Sequence, residues 1–183
     1  MLRLEGSFDT DGLLMQPKIR TATFEDAPLI ASLIRRGFLK QAQILGLDEV
    51  EYPNYVAFDT EKAVRHRLTA DVHIALAYLD LKSEPVATIS CLLRSDPILT
   101  AEITRLAVLP SYRGNNYGQA LMTYAENRML TAGAKVAELS IVASFQRPKW
   151  FYERLGYAPG QRRQIATLPF EVLFMSKRLS PQP

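Results

Sequence analysis

Residues 102–120 read EITRLAVLPSYRGNNYGQA, and this stretch predicts a strand, a glycine-containing loop and a helix in immediate succession. Pro110 ends the strand because proline has no backbone N–H, and Gly114 and Gly118 allow the loop to turn. In such an element the loop amides and the unpaired N–H groups of the first helical turn converge on one spot, where the helix dipole favours negative charge. Arg113 adds a guanidinium, which matches phosphate oxygens well. The stretch therefore predicts an anion-binding loop.

Other phosphate-binding loops fit this stretch poorly. A Walker loop needs Gly-Lys followed by Ser or Thr before its helix, whereas this loop has Tyr117-Gly118-Gln119. A dinucleotide-binding loop needs G-x-G-x-x-G, whereas the two glycines here are four positions apart. Two alternatives stay open: a tight strand-to-helix turn that merely needs glycine, and a nucleotide-binding protein that uses the same cradle.

The composition is that of an ordinary globular protein. The chain has 183 residues, of which 48% are hydrophobic and 22% charged, so one core can organise it and wholesale disorder is excluded. The net charge of +3 suits an anionic small ligand, but without a basic patch it does not indicate nucleic acid. No run of the sequence approaches the roughly 18 apolar residues of a membrane helix, so we expect no membrane partner.

The cysteine and the histidines argue against a metal centre. Cys91 is the single cysteine, which excludes an intramolecular disulfide and a multi-cysteine zinc site, and its apolar surroundings in sequence predict a packing role. His66 and His73 have no Cys or His neighbour at ligand spacing, so we expect no metal. The lone thiol, with an N-terminus that lacks an apolar signal segment, favours a cytoplasmic, reducing setting.

The pattern of hydrophobic and turn residues predicts one α/β domain. We expect this domain over residues 16–180, preceded by a flexible arm over residues 1–15. The predicted order of elements is β-α-α-β-β-β-α-β-α-β-β, with the last two strands near 163–167 and 170–177. This order indicates a mixed sheet with helices on both faces.

Two segments of the chain carry a resemblance to a known family. The loop RGNNYG at residues 113–118 resembles the R/Q-x-x-G-x-G/A coenzyme A loop of the GNAT N-acetyltransferase superfamily. The segment WFYERLGY at residues 150–157 is similar to that family's FYE-LGF element. The resemblance extends in order from Ile19 to about Leu179, and the two motifs lie on the elements that the family uses for them.

The chain departs from the family pattern at particular positions. Asn116 stands where the loop usually has its first glycine. Because asparagine tolerates positive φ better than other non-glycine residues, we expect the cradle to keep its form. Phe145 and Pro148 stand where family members often have Asn and Ala, so a side chain that can contact coenzyme A is missing there.

The resemblance implies a fold, a reaction and a cofactor site. The fold is a GNAT-like mixed, mostly antiparallel central sheet flanked by helices, and the reaction is transfer of an acetyl group from acetyl-CoA to a primary amine by direct attack, without a metal. The backbones of Leu106 and Val108 would pair with the pantetheine arm, and the Val108 N–H would polarise the acetyl carbonyl. The residues that the resemblance assigns to the cofactor are Leu106, Ala107, Val108, Arg113, Gly114, Asn115, Asn116, Tyr117, Gly118 and Gln119.

Two residues are candidates for proton transfer. Tyr152 matches the family's general-acid tyrosine, since a phenol with a pKa of about 10 keeps its proton at pH 7 and can pass it to a thiolate. Glu102 stands where some family members place a general base. A structural alternative stays open for each: Tyr152 as a core aromatic residue, and Glu102 as an exposed carboxylate at a strand end.

The acceptor and the assembly are open at this level. The acceptor could be a small amine, an amino acid derivative, a peptide N-terminus or a lysine. Asp48, Glu49 and Glu51 could form an acidic mouth for a cationic amine, or be a solvated run of charges. A non-catalytic acyl-CoA-binding sensor or scaffold is the alternative function. Many similar proteins are dimers, so the resemblance leaves a homodimer open.

Overall fold

A computed structural model describes residues 17–69, 72–79 and 83–180, and the arm expected over residues 1–15 lies outside them. The strands are β1 (Lys18–Thr21), β2 (Val72–Tyr78), β3 (Ala87–Arg94), β4 (Thr100–Val108), β5 (Val136–Val142), β6 (Ala158–Gln164) and β7 (Glu171–Arg178). The α-helices are α1 (Ala27–Leu45), α2 (Glu61–Arg67), α3 (Tyr117–Thr131) and α4 (Gln146–Arg154). None of the helices in the described residues is long and apolar enough to cross a membrane.

The strands form one sheet in the order β1-β2-β3-β4-β5-β7-β6. Neighbouring strands run antiparallel except for β4 and β5, which are parallel. A parallel pair needs a crossover connection, and here α3 supplies it. The prediction of a mixed, mostly antiparallel sheet is confirmed.

The helices cover both faces of the sheet, as predicted. One core packs the buried side of α3 against the sheet, with Leu121, Met122 and Met129 almost without solvent contact. The other core packs α1 and α2 against the opposite face, with Ile30 and Val64 fully buried. Residues of α4 join the first core at its edge. The sheet is therefore the middle layer of three.

The first helix is anchored at its start by Asp26. The Asp26 carboxylate accepts the backbone N–H of Thr23 at 2.7 Å and both terminal nitrogens of Arg20 at 2.7 Å. The Arg20 guanidinium holds the pKa of this carboxyl below its usual value. The helix ends at Gly46, whose φ of 66° is the left-handed conformation that glycine adopts without strain.

The strand β4 contains a bulge that turns it over. Arg105 has φ 53°, and the β3–β4 register shifts between Thr88 and Ser90. Before the bulge, Ile103 packs into the core on the α3 side; after it, Ala107 packs into the core on the α1 side. Residues two apart in a regular strand share a face, so the extra residue exchanges the faces of the strand.

The strands β4 and β5 pair only at their beginnings. Thr100 to Glu102 lie beside Val136 to Glu138, and the pairing stops there, just before the bulge at Arg105. Beyond this point the facing edge of β4 has no neighbouring strand. The sheet therefore contains an open split between β4 and β5. Helices α3 and α4 lie on one face of the sheet, and α1 lies on the other.

One predicted strand is misplaced in the sequence analysis. The strand expected near 163–167 is β6, Ala158–Gln164, which starts five residues earlier and contains Pro159 and Gly160. Every residue of β6 is exposed, so the strand has no alternating apolar pattern that could mark it. Pairing with β7 at the edge of the sheet places it, because an edge strand tolerates proline and polar side chains.

Helix α1 and strand β4 approach each other closely at Gly37. A Cβ atom on Gly37 would lie 2.8 Å from the Cβ of Ala107 and 3.7 Å from the backbone nitrogen of Val108. No real pair of carbon atoms packs at the first distance. The absence of a side chain at Gly37 therefore sets how near α1 can come to the split.

We expect Gly37→Ala to lower the free energy of unfolding by about 1–3 kcal/mol, because the added methyl group forces α1 away from β4. Helix propensity alone would favour alanine by about 1 kcal/mol, so the sign of the change tests the contact. Urea unfolding measures it. Ala107→Gly in the same background should recover part of the loss, and a Gly37→Ala protein as stable as the parent would contradict the close approach.

Candidate functional site

The backbone of β4 faces the split with unpaired peptide groups. The register places Val108 opposite Ala87, and the Leu109 N–H donates to the Val86 carbonyl at 3.0 Å. In an antiparallel ladder this makes Val108 a non-hydrogen-bonded partner, so its N–H and C=O point away from β3. Alternation along the strand directs the peptide groups of Leu106 the same way. Both predicted pantetheine-pairing residues thus face the side from which β5 has diverged.

The loop after β4 presents a run of unpaired backbone N–H groups. Gly114 has φ 85° and Asn116 has φ 64°, and α3 begins directly afterwards at Tyr117. Among the residues that the structure describes, no side chain caps the start of α3. Within the part of the chain that the structure describes, the N–H groups of residues 114–119 have no acceptor, and the first paired one is that of Ala120, which donates to the Asn116 carbonyl at 2.9 Å. The loop therefore has the donors that an anion requires.

Arg113 makes contacts that the sequence did not predict. Its Nε donates to the Val108 carbonyl at 3.1 Å, and its Nη2 donates to the Gly37 carbonyl at 2.6 Å. The side chain therefore ties α1 to the end of β4, and only part of its donor set is available to a ligand in the loop. The Val108 carbonyl is also engaged by this contact, which leaves the Val108 N–H as the donor that faces the split.

Helix α4 packs against the loop and the split. A Cβ atom on Gly118 would lie 3.3 Å from the Phe151 ring and 3.8 Å from a methyl group of Val108. Gly118 thus allows the first turn of α3, the end of β4 and α4 to meet. This contact brings the second sequence motif beside the first.

Tyr152 lies within an aromatic cluster at this junction. Its ring centre is 5.0 Å from that of Phe151 and 5.9 Å from that of Tyr157, both in edge-to-face geometry. Its hydroxyl donates to no other described residue, and burial raises the pKa of the phenol above its usual value. The group therefore holds its proton at neutral pH and has no internal acceptor for it.

Glu102 lies at the point where β4 and β5 separate. It is the last residue of β4 that pairs with β5, and it lies opposite Glu138. Its side chain is 43% exposed, and its carboxylate lies 4.0 Å from the Arg94 guanidinium. Arg94 is closer to Glu138, at 2.6 Å, and to Asp96, at 3.4 Å. Glu102 thus combines solvent access with a position at the base of the split.

The sequence analysis missed a charged group beside Glu102. Arg105, at the bulge, donates through Nε to Asp59 at 3.1 Å, and Arg67 pairs with the same carboxylate through both of its terminal nitrogens. Asp59 follows the short 3-10 turn Val56–Phe58, far from β4 in sequence. Neither periodicity nor a local motif could have brought these residues together, because tertiary packing places them.

The connection between α1 and α2 contacts the β6–β7 loop. The rings of Tyr55 and Phe170 lie 6.0 Å apart in edge-to-face geometry, and both belong to a small apolar cluster with Ala57. This contact lies on the α1 face of the sheet and joins the α1–α2 connection to the loop between β6 and β7. Asp48, Glu49 and Glu51 are exposed, and the Asp48 carboxylate accepts the N–H groups of Val50 and Glu51 in a turn.

The surroundings of Cys91 and His66 are those of residues with structural roles. Cys91 is buried, its Sγ donates to the His73 carbonyl at 3.6 Å, and burial raises the pKa of the thiol to about 12. The prediction of a packing role is confirmed. His66 is exposed on α2. The described residues contain no cluster of His, Cys, Asp and Glu that could hold a metal ion.

The chain matches the acetyltransferase (GNAT) family over residues 39–157. This match covers more than half of the chain and includes both sequence motifs and the split, and the chain belongs to this family. The predicted membership is confirmed. The sequence has no significant match among curated proteins.

Solved structures share the fold. The ribosomal-protein-S18-alanine N-acetyltransferase from Escherichia coli is 16% identical, with a TM-score of 0.70 over 92% of this chain and 97% of that chain. The PaiA N-acetyltransferase from Thermoplasma acidophilum, solved in complex with coenzyme A, is 17% identical, with a TM-score of 0.73 over 90% and 99% of the two chains. An aminoglycoside 6'-N-acetyltransferase complexed with coenzyme A is 19% identical, with a TM-score of 0.66 over 91% and 99%. At these identities the likeness shows the fold.

We expect Asn116→Val to lower the free energy of unfolding by about 1–3 kcal/mol, because a β-branched residue is strained at φ 64°. Asn116→Gly should be nearly neutral, since glycine adopts this conformation freely. Chemical denaturation measures both variants. Asn115→Val is the matched control, because Asn115 is not in the left-handed region; an equal loss at both positions would contradict the role of the conformation.

Proposed function

We propose that this protein transfers an acetyl group from acetyl-CoA to a primary amine by direct attack, without a covalent enzyme intermediate. The observation that carries the proposal is the run of unpaired N–H groups over residues 114–119 at the open end of the split between β4 and β5. Family membership and the coenzyme A complexes of two similar folds support the same assignment.

The proposed cofactor site uses main-chain groups. The N–H groups of the loop and of the first turn of α3 bind the diphosphate of acetyl-CoA, and the helix dipole favours its charge. Arg113 adds positive charge beside the loop while it holds α1 in place. The pantetheine arm lies along the edge of β4 and pairs with Leu106 and Val108, whose peptide groups face the split. The cofactor residues are Leu106, Ala107, Val108, Arg113, Gly114, Asn115, Asn116, Tyr117, Gly118 and Gln119.

The proposed chemistry proceeds by attack of a neutral amine on the thioester carbonyl. The C–N bond forms, the C–S bond breaks, and the Val108 N–H stabilises the oxyanion between these events. Tyr152, whose phenol is protonated at neutral pH, gives its proton to the departing thiolate. Glu102 takes the proton of the amine, directly or through water, from its half-exposed position at the base of the split.

Titration with acetyl-CoA and turnover with a panel of primary amines test the proposal together with Tyr152→Phe. We expect the parent to bind acetyl-CoA and release free CoA with at least one amine. Tyr152→Phe should keep the affinity for acetyl-CoA and lower turnover by on the order of 100-fold, because it removes the proton and leaves the ring. Tyr124→Phe is the control, since its hydroxyl contacts Thr21 at 2.9 Å on β1, the edge strand three positions from β4 in the sheet.

Two results would contradict this proposal in different ways. A folded protein that shows no binding of acetyl-CoA would remove the cofactor site. A protein that binds acetyl-CoA but turns over no amine in the panel would favour the non-catalytic sensor or scaffold, in which Tyr152 transfers no proton.

We expect Glu102→Gln to lower turnover at neutral pH by about 10- to 100-fold and to lose less at high pH. The reason is that an alkyl amine has a pKa of about 10, so the neutral nucleophile forms without a base as the pH rises. Profiles of kcat/KM against pH measure this. Glu61→Gln removes an exposed carboxylate on α2 that pairs with Arg65 and should keep the profile of the parent; parallel profiles for Glu102→Gln and the parent would remove Glu102 from the mechanism.

A further inference from the structure

Three residues form a charged cluster between the α1–α2 connection and β4. Arg67 donates through Nη1 to the Asp59 carboxylate at 3.0 Å and pairs with its second oxygen through Nη2, and Arg105 donates to that second oxygen through Nε at 3.1 Å. We call this set the Arg105 cluster. Its two guanidiniums and one carboxylate give a net charge of +1.

The Arg105 cluster is largely shielded from solvent. The Asp59 side chain is 4% exposed, that of Arg67 is 19% and that of Arg105 is 26%. An uncompensated charge in such surroundings is costly unless an anion neutralises it. The cluster therefore has one positive charge without a matching anion among the residues that contact it.

The unmatched donors of the cluster are Arg67 Nε, which is buried, and the two terminal nitrogens of Arg105. The Nε of Arg105 is used by Asp59, whereas Nη1 and Nη2 donate to no described residue. The buried side-chain atoms without a partner in the described chain are Arg67 Nε, Ser90 Oγ and Arg94 Nε, so the Nη atoms of Arg105 reach solvent. A guanidinium edge with two parallel N–H groups binds a carboxylate in a bidentate manner.

Arg105 lies on the acceptor side of the split. It occupies the bulge at which β4 leaves β5, three residues after Glu102 and on the same strand. Burial lowers the pKa of its guanidinium, the charge of Arg67 lowers it further, and the charges of Asp59 and Glu102 act in the opposite direction. The charge of the Glu102 carboxylate thus favours the charged form of the Arg105 guanidinium. Above them, the α1–α2 connection that carries Asp59 reaches the β6–β7 loop through Tyr55 and Phe170.

We propose that Arg105 binds a carboxylate on the acceptor, so that the substrate is an amine that also carries a carboxylate, as an amino acid does. This inference rests on the proposed function. The single excess charge of the Arg105 cluster matches a monoanion better than a phosphate dianion. At the other end, Arg94 with Asp96, Glu102 and Glu138 has a net charge of −2, which suits the ammonium form of the same substrate before its proton is lost.

The spacing of the two ends is compatible with a small molecule. Three residues of extended chain span roughly 10 Å between Cα atoms, and the bulge at Arg105 inserts one extra residue within this span. An acceptor whose amine lies at Glu102 and whose carboxylate lies at Arg105 would bridge the two ends. Substrates that carry only positive charge, such as polyamines, would meet the repulsion of Arg105.

Binding of acetylated product analogues to the CoA-saturated protein tests this without turnover. The probes are an N-acetyl amino acid, its carboxamide, and an N-acetylaminoalkyl phosphate of similar length, each titrated by calorimetry. We expect the carboxylate to bind at least 10-fold more tightly than the carboxamide and more tightly than the phosphate. Equal affinities for carboxylate and carboxamide in the parent would overturn the proposal, and a phosphate that binds most tightly would overturn the choice of carboxylate.

Two variants locate the effect. Arg105→Gln should reduce the preference for carboxylate over carboxamide to less than twofold while acetyl-CoA affinity stays unchanged. Arg105→Lys keeps the charge but lacks the two parallel N–H groups of a guanidinium, so its preference should lie between those of the parent and Arg105→Gln. Arg67→Gln is the matched control: it removes the same charge from the Arg105 cluster but keeps the free edge of Arg105, so most of the preference should remain. A preference that survives in Arg105→Gln would overturn the assignment.

The two levels of proposal fail differently. Loss of acetyl-CoA binding or of all amine turnover in the parent contradicts the proposed function. A protein that binds acetyl-CoA and acetylates amines, yet treats carboxylate and carboxamide ligands alike, contradicts only the role of Arg105.

Discussion

The separation of β4 from β5 is the constraint on which the rest of the site depends. Two parallel strands that continued to pair would leave no backbone donors at the centre of the sheet. The bulge at Arg105 ends the pairing after Glu102, turns β4 over and leaves the peptide groups of Val108 facing an open edge. The same backbone irregularity therefore both opens the edge of β4 and sets the position of Arg105.

Close contacts of backbone with backbone hold this opening in position. Gly37 allows α1 to touch β4, Gly118 allows α3 to meet α4, and Arg113 ties the end of β4 to the carbonyl of Gly37. Tyr152 is brought to the same junction by its packing against Phe151.

The elements with local signals were predictable, and those placed by pairing were not. The strand, loop and helix in succession over residues 102–120 were predicted because Pro110, Gly114 and Gly118 mark the turn within the chain. The strand β6 was misplaced, since an exposed edge strand has no apolar alternation and owes its bounds to hydrogen bonds with β7. Glu102, Tyr152 and the loop after β4 stay predictions as functional groups, although their positions around the split are consistent with the roles assigned to them.

By itself the sequence determined the family, the order of the elements and the strand–loop–helix form of residues 102–120, because each of these depends on residues that are neighbours along the chain. Only the tertiary structure decided that Arg113 holds α1, and that Arg105 shares Asp59 with Arg67. The physical reason is that charges compensate each other when they are close in the folded structure, whatever their separation along the chain. A residue 46 positions away supplies the partner of Arg105, and no local pattern encodes which distant carboxylate a buried guanidinium will meet.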